Sequence, residues 1–236
     1  PRVGILSSGD EVVPPESDLQ PGQVRDVNAF TLSALVESAG GEPVRYGIIP
    51  DRVEAMQAAI RRAHAECDLV VVTAGSSAST RDLTAQVMDE LGEPGVLVHG
   101  VNVRPGKPTI LAIAGGKPLI GLPGNPVSAL VIAGLFVTPV IAALQGVVRK
   151  RPPATVTARL TLNLSSQAGR EDWVTVRLLP DAGASSSEAH QVRYQAEPIF
   201  GKSNLIFTLA AADGLVRIPP DANGLAAGSL VEVHLL

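Results

Sequence analysis

The sequence is short of cysteine, of aromatic residues and of net charge, and each shortage removes a class of protein. Cys67 is the one cysteine of 236 residues, so an internal disulfide and a cysteine-rich metal site are excluded, and a reducing compartment is the default. Aromatic residues make up 3%, and 19 Lys and Arg stand against 23 Asp and Glu. A basic, base-stacking surface is not available, which argues against nucleic acid as partner. No uninterrupted apolar run reaches the roughly 18 residues of a spanning helix. The longest stretch, Val127 to Leu144, is interrupted by Ser128, Gly134, Thr138 and Pro139 and reads as a buried helix, with no membrane role. There is no G-x-G-x-x-G, no Walker lysine and no G-x-S-x-G elbow, so a dinucleotide fold, a P-loop and a serine hydrolase have no motif behind them. The chain begins at Pro1 without methionine, and the expectation is a processed or excised portion of something longer.

Glycine and proline, by contrast, are abundant at 23 and 19 residues, and they punctuate a regular alternation. Residues 3–7 read as a strand ending at Ser8-Gly9-Asp10. Asn28 is placed to cap a helix carrying Leu32, Leu35 and Val36, which Gly40-Gly41 stops. A strand near residues 44–48 follows, then Asp51 and Glu54 at capping-box spacing before a helix with Val53, Met56, Ile60 and Ala63. Leu69 to Val72 is a fully apolar strand. A Gly/Ser/Thr loop over residues 74–80, a helix to about Leu91, a hairpin from Val96 to Ile113, a strand at Leu119 to Leu122 and a long helix after Asn125 complete the pattern. This predicts an α/β fold, a doubly wound three-layer arrangement on a mostly parallel sheet. The basic and proline-rich cluster at residues 149–153 is the expected domain boundary, giving domains over 1–150 and 151–236. The second half has short alternating segments and no helix-length periodicity, and is expected to be a small all-β barrel or sandwich with Trp173 as its anchor.

In an open α/β sheet ligands sit at the carboxyl ends of the strands. Acids and small hydroxyl residues collect there, with glycines between them: Ser7, Ser8, Gly9 and Asp10 with Glu11 and Asp26, then Asp51, then Thr73, Gly75, Ser76, Ser77, Ser79, Thr80 and Asp82. A strand-to-helix loop of this kind can hold an anion on backbone N–H groups and the helix dipole, or simply be a capped turn. Pro123-Gly124-Asn125-Pro126 with Ser128 makes a second exposed helix start, with Pro126 suited to its first position and Asn125 placed either to cap it or to touch a ligand. Pro105, Gly106, Lys107 and Pro108 form a stiff turn that presents a lysine able to neutralise a phosphate. The scattered acids suit Mg²⁺, which needs few carboxylates beside water and ligand phosphates, and Asp10 and Asp82 are the better candidates. Asp51 reads first as a helix cap, and Asp26 as the residue that positions the turn before Asn28. His64, His99, His190 and His234 have no ligand spacing, and Cys67 reads as a small core residue.

Taken in order, Ser8-Gly9-Asp10-Glu11, Asp26-Val27-Asn28, Gly75-x-Ser77, Arg104 to Pro108 and Leu122 to Ser128 resemble the molybdopterin molybdotransferase family, MoeA and the gephyrin E domain. The tail is similar to that family's carboxyl-terminal β domain in Gly201-Lys202-Ser203, Ala212-Asp213-Gly214-Leu215 and Gly228. The resemblance implies molybdenum cofactor biosynthesis: insertion of molybdate into molybdopterin from adenylylated molybdopterin, with AMP released and Mg²⁺ assisting, in the cytoplasm. It also implies a pterin-phosphate site made of Ser8, Gly9, Gly75, Ser76, Ser77, Ser79, Thr80, Pro105 to Pro108, Pro123, Gly124, Asn125 and Ser128. Asp10 and Asp82 are implied as catalytic, and Asp10, Asp82 and Asp51 as metal-binding. Family members carry an amino-terminal region that supplies dimer contacts, so a homodimer of the full-length protein is implied too. The loop departs from the family's Gly-Gly-Val-Ser-Val-Gly-acid pattern, with Ala74, Ser76, Ser79 and Thr80 in place of Gly, Val, Gly and the acid. A second reading follows, a pterin-binding sensor or scaffold without turnover. A third is a nucleotide-pyrophosphate hydrolase of the competence-damage type.

Overall fold

The computed structural model describes residues 1–74, 78–148, 154–181 and 192–236, with backbone alone for residues 78–81. The expected boundary cluster, the loop at 182–189 and His190 lie outside the described residues. Two compact units emerge, Pro1–Val101 with Gly106–Arg149, and Asn102–Pro105 with Lys150–Leu236. Residues 102–105, expected in the first domain, count with the second.

The first unit opens with β1 (Arg2–Ser8), the short β2 (Val12–Val13) and β3 (Val24–Arg25), α1 (Asn28–Ser38), β4 (Glu42–Ile49), α2 (Val53–Glu66), β5 (Leu69–Ala74), α3 (Ala78–Asp89) and β6 (Pro94–His99). After β7 (Val103–Arg104), which belongs to the other unit, come β8 (Ile110–Ala114), β9 (Lys117–Pro123), α4 (Pro126–Ile132), a π turn over Ala133–Val137 and α5 (Thr138–Leu144). Six strands form one sheet in the order β4-β1-β5-β9-β8-β6. The pairs β1–β4, β1–β5 and β5–β9 are parallel, and β8 runs antiparallel to both β9 and β6. The fold is thus α/β on a mostly parallel sheet. The expected hairpin of β6 and β8 pairs as drawn from the sequence, but its ends are not joined by a tight turn, because residues 102–105 leave for the second unit.

All six residues of β5 are buried, as a central strand covered on both faces requires. On one face α1 packs against α4 and α5, and on the other α2 packs against α3. Met56, Ile60 and Ala63 of α2 are buried at helical spacing in a core with Leu6, Val70, Val72, Met88 and Leu119. Each of the larger side chains here, Val, Leu, Ile or Met, contributes about 1.5–3 kcal/mol relative to exposure. Val53, assigned to the same apolar stripe, instead lies exposed. The run Pro126–Leu144 is by length and composition apolar enough to cross a membrane. In the structure its Val127, Ala129, Val131, Ile132, Val137 and Ile141 are buried.

The second unit is built from β10 (Thr155–Leu160), β11 (Leu164–Ser165), β12 (Glu171–Pro180), β13 (Tyr194–Pro198), the single helical turn α6 (Phe207–Ala210), β14 (Gly214–Ile218), β15 (Gly224–Leu225) and β16 (Leu230–Leu235). Strand order β13-β10-β16-β14-β12 closes through a β12–β13 pairing, so the choice between barrel and sandwich falls to the barrel, with β7 added to β12. Its core is Ala158, Leu160, Leu164, Val176, Ala196, Val216, Ile218, Val231 and Val233. Trp173 is not the anchor expected of it. Val174 and Val176 face the core side of β12, so the period of two turns Trp173 outward. There its ring meets His234 edge-on at 5.0 Å and its Nε1 donates to Glu171 Oε1 at 2.8 Å.

Candidate functional site

Chain order along the sheet reverses at β1. From β1 the chain crosses to β4 on one side, then returns past β1 to β5 on the other, so the topological switch point lies between the carboxyl ends of β1 and β5. Register brings Ser8 opposite Ile49, Ser7 opposite Thr73, and Ala74 opposite Pro123. The carboxyl ends of β1, β4, β5 and β9 therefore share one edge. The turn before β8 opens there too, since Ile110 pairs with Gly121 and β8 runs the other way.

At the end of β1 a small polar network replaces the apolar strand. Ser8 is buried, and its Oγ donates to Asp51 Oδ1 at 2.6 Å. Asp51 N donates to Asp10 Oδ1 at 3.1 Å, so two carboxylates are held together with one serine. Asp10 itself is exposed. Asp51 therefore differs from the cap expected of it: α2 starts with Arg52 at its N-cap in extended backbone and no side chain capping it, and Asp51 turns toward the loop after β1. Gly9 makes this turn at φ +148°, and a Cβ there would press on Glu11 and Val12. Beneath the network Thr73 Oγ1 donates to Leu6 O at 3.4 Å, and both Ser7 and Thr73 are buried. Both belong to the hydroxyl residues that the sequence places at the strand ends, where neither was singled out as a ligand contact.

Asn28 is not the cap of α1 but its first residue. The N-cap is Val27, whose side chain makes no capping bond, and Asp26 Oδ1 accepts from Ala29 N at 3.1 Å, in keeping with a turn-positioning role. Asn28 Nδ2 instead reaches across and donates to Gly124 O at 2.8 Å. That bond ties the start of α1 to the turn from which α4 begins, and brings two helix N-termini side by side. Pro126 occupies the first turn of α4, and Asn125 stands at its N-cap in extended backbone without a side-chain capping bond, so the cap expected there is absent. Ser128 is buried in that first turn.

Before β8, Gly106 is buried at φ +124°, and a Cβ there would drive into the side chain of Ile132. Thr109, fully buried, donates from Oγ1 to Gly106 O at 2.6 Å and locks the turn. Val101 N donates to Lys107 O at 2.9 Å, which leaves the Lys107 side chain exposed beside a half-buried Pro108. Pro105 counts with the second unit. Asp82 is exposed on α3. Gly75, Ser76 and Ser77 lie outside the described residues, as do the side chains of Ser79 and Thr80. Among the described residues no three His, Cys, Asp or Glu side chains come together to hold a metal.

Away from this edge, Tyr46 of β4 has the most perturbed ionisable group among the described residues. Its hydroxyl donates to Glu66 Oε2 at 2.7 Å and lies 3.4 Å from Cys67 Sγ. Burial first, then the hydrogen bonds with Cys67 and Glu66, push its pKa well above the usual range. The same bond from Tyr46, with Arg62 beside it, holds Glu66 below the usual carboxylate range. Cys67 is buried and free.

A family model described as a probable molybdopterin binding domain matches residues 4–143. A second, the MoeA C-terminal region (domain IV), matches residues 157–236. The chain belongs to the molybdopterin molybdotransferase family. A putative molybdopterin biosynthesis protein of Methanocaldococcus jannaschii is 35% identical over 99% of this chain and 54% of its own length. A molybdopterin molybdenumtransferase of Nostoc sp. is 38% identical over 74% of this chain and 40% of its own. The crystal structure of a molybdopterin biosynthesis MoeA protein from Pyrococcus horikoshii superposes with a TM-score of 0.82 at 36% identity, covering all of this chain and 54% of that one. The chain spans about half the length of the family relatives it matches along its whole length. The molybdotransferase fold accounts for both units, the α/β one and the smaller β one.

Proposed function

We propose that this chain binds molybdopterin, free or adenylylated, at the carboxyl edge of the first unit's sheet, and that within a longer transferase it supports molybdate insertion with release of AMP. The carrying observation is the pair of helix N-termini joined by the Asn28–Gly124 bond at the edge where β1 and β5 part. Backbone N–H groups and two helix dipoles suit the phosphate of such a ligand. Lys107 adds an exposed positive charge from the turn before β8, and Gly106, Pro108, Pro123, Gly124, Asn125 and Ser128 shape the surrounding walls.

Mg²⁺ fits this edge in a limited sense. It takes most of its ligands from water and substrate phosphates and needs one or two carboxylates. Asp10 and Asp51, held together through the Asp51 N–H, supply those. Bound there, it would offset charge developing on the phosphates as the pyrophosphate link breaks. Asp82 is read as acting on turnover from α3. Cytoplasmic residence and homodimer formation by the full-length protein belong to the same reading.

Calorimetric titration of the chain with molybdopterin tests the ligand: saturable binding is expected, and no heat from a folded sample refutes the assignment. AMP release from adenylylated molybdopterin, with Mg²⁺ and molybdate, measured on this chain and on the full-length protein, separates binding from turnover. The reading expects Asp82→Ala to slow release in the full-length protein while leaving affinity nearly unchanged.

A further inference from the structure

Asn28 is 8% exposed, and its Oδ1 is buried with no hydrogen-bond partner. An orphaned buried acceptor costs about 1–3 kcal/mol. The orientation of the amide is not in question, because turning it over would set carbonyl oxygen against Gly124 O and lose the 2.8 Å bond from Nδ2. The unsatisfied atom is therefore an acceptor, and it stands at the first residue of the 11-residue helix α1, hydrogen-bonded to the turn that starts α4. Among the described residues the other such atom is Ser166 Oγ, a lone hydroxyl on a partly exposed residue of the second unit, which does not carry this edge.

An acceptor calls for a donor, and the surroundings restrict which kind. Two helix N-termini bring partial positive charge, which favours anions and disfavours a cation at the same spot. What remains is an uncharged N–H or O–H group. Resting on the reading of this edge as a phosphate-ligand site, we infer that Asn28 is a specificity-determining residue: its Oδ1 accepts a hydrogen bond from an amino or hydroxyl group of the non-phosphate part of the ligand. The phosphate is held by backbone and dipoles, and Asn28 reports whether the correct organic group is attached to it. A site built to bond such a group rejects analogues lacking it, since the buried acceptor then stays unpaired.

The test is calorimetric titration of the whole chain, wild type and variants, with molybdopterin, AMP and inorganic pyrophosphate, the last of which carries no amino or ribose group. Asn28→Ala is expected to weaken molybdopterin and AMP about tenfold and to change pyrophosphate less than about twofold. Asn28→Asp keeps an acceptor while adding a charge that repels every probe, so it should weaken all three and preserve the ratio of organic probe to pyrophosphate. Should Asn28→Ala fail to fold, Asn28→Ser, too short to reach both groups, takes its place with the same expected loss of ratio. Equal loss for all three probes would show that Asn28 only shapes the turn at Gly124, and overturns the inference. Unchanged affinities overturn it as well. If the folded wild type binds pyrophosphate but neither organic probe, the specificity role falls while a phosphate site stands; if it binds none of the three, the ligand reading itself falls and takes this one with it.

Discussion

The charged clusters of the barrel and the sheet edge of the first unit differ in how completely they are paired. On the barrel, charged side chains are cross-paired: Arg170 grips Asp172 through Nε and Nη2 at 2.6 and 3.1 Å, Arg104 approaches the same carboxylate at 3.7 Å, and Arg217 Nη2 meets Glu171 at 2.6 Å. The Asp172 side chain is 5% exposed, so this pairing answers a desolvation cost. On the sheet edge of the first unit, Lys107 and Asp10 face solvent and Asn28 keeps a buried acceptor unsatisfied. A closed barrel has no unpaired strand edge and no switch point, so its polar side chains serve the fold. An open parallel sheet ends in loops and helix starts whose donors are not used up by the fold, and those are the groups a ligand can take.

The sharpest way to break this contrast is at Gly106. Gly106→Ala must adopt φ +124° and push into Ile132, and is expected to lower stability by about 4 kcal/mol, from backbone strain and overpacking together. Far-UV circular dichroism during urea unfolding should show the loss, since the long helices are in the first unit. Next in size is Ile218→Ala, which opens a cavity in the barrel core and should cost about 3 kcal/mol. Trp173, the single tryptophan, lies in β12 and reports on the barrel by fluorescence. If the units are separate cooperative bodies, Ile218→Ala moves the fluorescence midpoint more than the dichroism midpoint, and Gly106→Ala does the reverse. Coincident shifts in both variants would merge the two units into one.

Binding predictions are smaller. Lys107→Ala should weaken molybdopterin severalfold at low salt and less at high salt, because an exposed charge is screened over about 8–10 Å. A salt-independent loss would mean that the lysine contributes through packing. Smallest is a pH effect far from the site. Tyr46 has a folded pKa raised above its unfolded value of about 10, so the stability it contributes is full below pH 10 and is lost as pH rises toward the folded value. Thermal melts between pH 9 and 11 should fall more steeply for wild type than for Tyr46→Phe, and equal slopes would remove Tyr46 from the account.

Much of the first unit was legible because its signals are local. Leu69 to Val72 could only be a buried strand, and Met56, Ile60 and Ala63 could share one helical face, from spacing alone. The edge where site residues gather was legible too, through the rule that α/β sheets bind at their carboxyl ends. Capping was less so: Asp51, Asn28 and Asn125 each stand next to a helix start, yet none caps it, because each sequence position offers a cap without showing what else competes for the side chain. Asp51 is taken by Ser8, and Asn28 by Gly124. Trp173 was misassigned since size suggests burial, whereas the strand's period of two decides the face.

What the sequence by itself determined is the alternation of strands and helices, the family, and the residue types at the strand ends, all of which rest on periodicity and motifs a few residues long. Tertiary structure alone decided that residues 102–105 join the barrel, that five strands close on themselves, and that Asn28 meets Gly124 across 96 positions of chain. Strand order sets those meetings, and strand order is a property of the whole packed sheet, to which no short stretch of residues holds the key.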